Sequence, residues 1–136
     1  MCNQIYEYKD ILQKRHINPE LARYELHRVW VVDAILKQGT RHIYKRRTFY
    51  IDEDSWQILA VDCYDNRDQL WKLQEAAVVN YYDLPTIMPT CELAYDFQSG
   101  RYNAMVLHNE EKEYIFNEPM SPKLFTPAAL RRKGIR

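Results

Sequence analysis

Glycine is scarce in this chain, with three in 136 residues. Glycine enters left-handed backbone conformations at no steric cost, so a chain rich in strands and turns ordinarily uses more of it. The turns here are therefore expected to rely on Asn and Asp. Net charge is absent as well, since 19 Lys and Arg balance 19 Asp and Glu. That balance gives no bulk attraction to nucleic acid, and no nucleic-acid partner is expected. Cysteine is limited to Cys2, Cys63 and Cys91. An odd, widely spaced set is neither a disulfide framework nor a zinc pattern. Cys63 sits in an apolar run and reads as a small core residue. A Cys63–Cys91 bridge stays open in an oxidising compartment, because sequence gives no distance. No apolar run reaches membrane-spanning length. Met1 to Lys14 carries charges and tyrosines where a signal peptide needs an apolar segment, so no signal peptide is expected in this chain.

Catalytic signatures are missing too. There is no glycine-rich phosphate loop. Ser55, Ser99 and Ser121 fall in turns and not in a nucleophile elbow. His16, His27, His42 and His108 show no helical i,i+4 pair, so no metal site is expected. A Cys63/His27 dyad loses to a buried, inert thiol. Without a convergent acid, base or nucleophile the chain is expected to be no enzyme, with no cofactor.

Aromatic residues are plentiful: 11 Tyr, 4 Phe and 3 Trp. Together with β-branched residues they form four runs, Tyr24–Leu36, Ile43–Asp52, Trp56–Asp65 and Leu70–Tyr82. Short polar stretches separate them: Lys37–Thr40, Glu53–Ser55 and Asn66–Gln69. Loops this short join only neighbouring antiparallel strands, which predicts a meander. Alternation along the first run puts Leu26, Trp30 and Val32 on one face, expected to be buried, and Glu25, His27 and Asp33 on the other. Thirteen residues would span about 43 Å, which calls for a curved sheet. The run Ala76–Val79 suggests cover on both faces of the fourth strand. In the turn at Glu53–Ser55, Asp54 is expected to hold amides near Trp56.

The flanks are less regular. Residues 1–22 form an arm with a weak helical stripe (Ile5, Tyr8, Ile11, Leu12) and a helix start at Asn18–Glu20. Residues 23–118 form the sheet domain. Pro85 and Pro89 bracket a loop expected to join no central strand. Glu92–Phe97 and Arg101–Leu107 then make a hairpin around Gly100. Residues 119–136 are a proline-rich segment and a short basic helix capped at Thr126–Pro127. The architecture is mainly β: a curved antiparallel sheet with a short C-terminal helix.

The stretches HRVWVV, RHIYKRR and YIDEDSW, with HINPELA before them and YDFQSGRY after, closely resemble the C-terminal part of the domain of unknown function 1329 family. The resemblance covers nearly the whole chain from about Tyr8. It departs at the YDNRDQLW turn, where Asn66 and Asp68 stand in place of glycines; both tolerate the left-handed region. Family members are longer, carry an export signal and look like the LolA/LolB lipoprotein-sorting proteins, which hold acyl chains in an unclosed half-barrel. The resemblance implies a periplasmic or outer-membrane-associated carrier of a lipid or other apolar ligand, here as the C-terminal part of a larger half-barrel. It also leaves open a non-catalytic scaffold that docks an outer-membrane channel or exporter partner. On the carrier reading the ligand lies against Trp30, with Phe49 and Trp56 as neighbours, and Lys45 and Arg47 meet an acidic headgroup.

Overall fold

The computed structural model describes residues 6–112 and 114–134. Cys2 and Ile5, with the last two residues of the basic C-terminal run, lie outside that range. Six strands form one open antiparallel sheet in sequence order: β1 (Val29–Ile35), β2 (Arg46–Asp52), β3 (Ile58–Tyr64), β4 (Leu70–Tyr81), β5 (Thr86–Asp96) and β6 (Arg101–Met105). A one-turn helix, α1 (Tyr8–Ile11), precedes the sheet, and α2 (Pro127–Gly134) follows it. The expected meander and hairpin are therefore both present. Pro127 opens α2, and Thr126 Oγ1 accepts from the Ala129 amide at 3.3 Å, which is the predicted cap.

Several expectations are corrected. β1 starts at Val29 and has seven residues, a span of about 23 Å and not 43 Å. Tyr24 and Leu26 lie outside it, and Leu26 is fully exposed. Trp30 does share a face with Val32, yet it remains 55% exposed. The cause is position: β1 is an edge strand, flanked on one side only. The core gathers instead on inner strands, at Val61 and Cys63 of β3 and Cys91 and Leu93 of β5. The Ala76–Val79 run is likewise not covered on both faces, since Ala77 and Val79 are exposed.

Of the segment Leu84–Pro89, only Leu84 and Pro85 lie in a turn. β5 begins at Thr86 and carries Pro89 inside it, opposite Val78. A register shift between Ala77 and Val78 marks a bulge there, and a bulge is where a strand accommodates a residue lacking a donor. Asn18–Glu20 starts no helix; Asn18 Oδ1 accepts from the Glu20 amide at 3.1 Å, closing a local turn. The arm is tied to the sheet: the Tyr8 hydroxyl donates to Leu107 O at 3.0 Å, and the Tyr102 hydroxyl to Gln13 O at 2.9 Å.

The scarcity of glycine is met as expected. Aspartates at three strand ends hold the following turns. Asp52 accepts from the Ser55 amide at 2.9 Å. Asp65 accepts from the amides of Arg67 (2.8 Å) and Gln69 (3.0 Å). Asp96 accepts from those of Gln98 (3.0 Å) and Ser99 (3.1 Å). Asp68 takes φ 60° in its turn, doing without the glycine. The capping residue at 53–55 is thus Asp52 and not Asp54, because a carboxylate one position before the turn reaches amides that fold back over it.

Candidate functional site

Cross-strand partners share a face in an antiparallel sheet. The register therefore places Trp30 with Ile51, Val32 with Phe49 and Ala34 with Arg47 on one face at the β1–β2 edge. Cys63 and Lys72 continue that face across β3 and β4. Trp30 and Phe49 are diagonal neighbours, so the structure brings together Trp30, Phe49 and Arg47 of the five residues singled out. The guanidinium of Arg47 stands 5.2 Å from the centroid of the Phe49 ring, a cation–π contact. Arg47 has no carboxylate within ion-pair distance among the described residues.

The other two lie outside the strands. Trp56 is not on β3 but in the preceding turn, at φ 60° and 70% exposed. Lys45 lies just before β2 and its ammonium is taken by Asp68. A cleft of about 300 Å³ opens at the Ala34–Arg47 end of the apolar strip, bounded also by Lys37, His42 and Tyr44. Its size is within the range of small-molecule sites. The strip runs from a half-exposed tryptophan to a cation with no ion pair among the described residues. Between Arg47 and Ile51 it covers about 14 Å of strand.

The opposite face of the same strands is polar and largely self-satisfied. Thr48, buried, donates to Asp33 at 2.5 Å and accepts from Arg46 at 2.9 Å. Arg46 also pairs with Asp33 at 3.6 Å and lies 3.6 Å over the Tyr64 ring. Tyr50 donates to Asp62 at 2.9 Å, and that bond pushes the Tyr50 phenol up. The charged side chains on this face are thus largely taken up in cross-strand pairing, worth about 0.2–1 kcal/mol per exposed pair.

Cys63 and Cys91 are both free. Cys63 pairs with Arg47 and Lys72 on the Trp30 face, whereas Cys91 pairs with Ala77 on the other. A bridge would have to cross the sheet, so that reading is excluded. Burial pushes the Cys63 thiol up, with the nearby Arg47 acting against it. His27 binds Asp52 and not Cys63. Among the described residues no group of three or more His, Cys, Asp or Glu side chains converges as a metal site would, and no helix is long and apolar enough to cross a membrane.

Two features escaped sequence reasoning. One is which aspartates hold the turns, namely Asp52, Asp65 and Asp96. The other is a second cleft, of about 400 Å³, lined by Arg15 and His16 of the arm together with Leu73, Tyr95, Phe97 and Arg101. Nothing local in the sequence joins residues 15 and 101; only the docking of the arm does.

An uncharacterized protein of Pseudomonas aeruginosa is 51% identical over 131 residues. That match takes in 96% of this chain but 29% of the relative, so the chain spans less than a third of its length. Two crystal structures are similar at 19% identity. An outer membrane lipoprotein-sorting protein domain from Vibrio parahaemolyticus aligns over 76% of this chain and 42% of its own, with a TM-score of 0.48. A DUF1329 family protein from Desulfovibrio piger aligns over 75% and 40%, with a TM-score of 0.45. The model of the family of proteins of unknown function DUF1329 matches residues 1–131, and the chain belongs to that family.

Proposed function

We propose that this chain forms part of a non-catalytic carrier of the bacterial cell envelope that binds a lipid or other apolar ligand along the Trp30–Phe49–Arg47 strip. One observation carries the reading. Large apolar side chains at the β1–β2 edge stay in water beside a guanidinium with no ion pair among the described residues: Trp30 is 55% and Val32 46% exposed. Each Å² of apolar surface left in water forgoes about 25 cal/mol, so a ligand that covers the strip gains that free energy. Arg47 then meets a carboxylate or phosphate headgroup at the cleft, and the acyl chain runs back towards Trp30. This arrangement leaves out Lys45, which is paired with Asp68, and Trp56, which lies in the turn before β3.

Titration of tryptophan fluorescence with fatty acid and with phospholipid tests the reading. A saturable change is expected, lost in Trp30→Ala and weakened in Arg47→Gln. A flat titration, with no lipid in an organic extract of the purified chain, would overturn it. That outcome would favour the scaffold reading, in which β1 docks an outer-membrane channel or exporter. The free edge of β1, with Val31 and Ile35 exposed, supports that second reading.

A further inference from the structure

The chain is neutral as a whole, but its charge is unevenly spread. Residues 119–136 hold Lys123, Arg131, Arg132, Lys133 and Arg136 and not one acid. All 19 acidic residues lie in residues 1–118. The five cations at this end therefore leave the body with an excess of five negative charges.

The same end also leaves the sheet. Phe116, half-buried, stands edge to face against Tyr81 of β4 at 5.0 Å. Asn117 turns the chain at φ 56°, and from there to Gly134 every residue except Ala129 is exposed. Among the described elements α2 packs on the 3-10 turn Pro122–Phe125 and on no strand. Met120, Leu124, Phe125 and Leu130 are each more than half exposed. Phe125 precedes the Thr126 cap and Leu130 follows it by four residues. These are the positions of a hydrophobic staple, which lie side by side at a helix start. Each is nevertheless 74% exposed.

The cations beside them are equally unoccupied. Lys123, Arg131, Arg132 and Lys133 have no carboxylate within ion-pair distance among the described residues. Cations in the last turn of α2 complement the helix carbonyls. That accounts neither for the missing acids nor for the apolar side chains left in water. An anionic lipid surface matches both. Its phosphates take the cations, its acyl boundary takes the apolar side chains, and the long basic stems reach from one to the other. A nucleic-acid backbone would meet the cations and offer nothing to Leu124 and Leu130.

We infer that residues 119–134 are a docking surface for an anionic membrane, with Phe125 and Leu130 entering the lipid and Lys123, Arg131, Arg132 and Lys133 at the headgroups. The acidic body is repelled by the same membrane, so the sheet is held away from it. This surface is separate from the Trp30 strip: it shares no residue with that strip or its cleft, and it meets a bilayer instead of a single lipid.

The test floats the full chain with vesicles of phosphatidylcholine alone and of phosphatidylcholine mixed with phosphatidylglycerol. Binding to the mixed vesicles is expected, at least about tenfold weaker without phosphatidylglycerol, and falling as salt rises. Arg131→Gln/Arg132→Gln/Lys133→Gln should weaken it about fivefold for each charge removed. Phe125→Ser/Leu130→Ser should weaken it about tenfold or more. All five side chains are exposed, so both variants should fold, which circular dichroism verifies. Trp30→Ala should bind vesicles unchanged, so this surface and the carrier strip succeed or fail separately. Unchanged vesicle binding in the two folded tail variants, or binding lost only in Trp30→Ala, would overturn the inference. So would a DNA duplex bound as tightly as the mixed vesicles and indifferent to Phe125→Ser/Leu130→Ser.

Discussion

His27 Nδ1 donates to Asp52 Oδ1 at 3.1 Å, tying the segment before β1 to the end of β2. The other carboxylate oxygen accepts from the Ser55 hydroxyl at 2.6 Å and from its amide at 2.9 Å. With 3% of its surface exposed, Asp52 is the anchor of this corner. Asp52→Asn should cost about 1–3 kcal/mol, because the amide presents a donor to groups that need an acceptor. Asp54 is exposed in the same turn, and Asp54→Ala should stay within about 0.5 kcal/mol. Chemical denaturation of the two variants measures both.

The acid side of the stability profile follows from the same chemistry. Asp52, Asp65 and Asp96 all titrate below the ordinary value of 3.8. The Ser55 hydroxyl bond is the main cause at Asp52; at Asp65 and Asp96 backbone amides lead, from Gln69 and Ser99. A depressed carboxylate stabilises the fold above its unfolded pKa, and that contribution is lost as pH falls through the folded value. Thermal midpoints should therefore drop steeply below about pH 4, the usual carboxylate range. A triple Asp→Asn variant should start lower at neutral pH and show a flatter acid limb. An acid limb unchanged in that variant would mean other groups dominate.

Glu75 runs the other way. It sits mid-β4 on the face under the arm, opposite Leu93, and burial pushes its carboxyl up. Its charge adds to the upward shifts of Tyr24 and of Tyr95, whose phenol is pushed up to about 12, chiefly by burial. A carboxyl with a raised folded pKa destabilises the fold above that pKa, and the penalty disappears on protonation. Glu75→Gln should accordingly raise stability at pH 7, by about 0.5 kcal/mol or more, and the gain should vanish in acid. A lower melting temperature at pH 7 would show that the charge has a partner it needs.

How far the sequence reached depends on what each pattern encodes. Alternation with short turns encodes pairing, so the order of strands and the separation of Trp30 from Asp33 were legible. Alternation does not encode whether a second layer covers a face. Trp30 and Leu26 were therefore placed in a core that an edge position denies them. Pro89 argued against a strand, and the bulge that admits it left no signature in the sequence. The turn aspartates had one: Asp-x-x-Ser recurs at 52–55 and 96–99, and a side-chain oxygen reaching an amide three residues on is what that spacing allows. The cleft beside the arm was hidden because it needs the arm's docked position.

The cysteines offer a check on the sheet's two faces. Cys63 is fully buried and Cys91 nearly so, and desolvation holds both thiols above their usual range. Thiolate is the reactive form, so both should resist alkylation in the native chain and react once it is unfolded. Mass spectrometry of peptides after iodoacetamide treatment reads this out. Oxidants should produce no Cys63–Cys91 linked peptide from native protein. Finding one would place the two sulfurs on one face and refute the register.

Trp30 separates a structural role from a binding one. A tryptophan truncated from a closed core costs about 3–5 kcal/mol, through lost burial and the cavity left behind. Trp30 lies on an edge strand, more than half exposed, with Ile51 as its cross-strand partner. Cross-strand pairs of this kind contribute about 0.2–1 kcal/mol. Trp30→Ala should therefore lower stability by about 1 kcal/mol or less and still abolish the fluorescence response to fatty acid. Arg47→Gln should leave stability within about 0.5 kcal/mol, since Arg47 has no ion pair to lose among the described residues, while reducing affinity for charged lipids more than for neutral ones. Denaturation and lipid titration of the same two variants give the comparison. If Trp30→Ala proves strongly destabilising, another part of the fold already covers the strip, and the exposed surface on which the carrier reading rests does not exist.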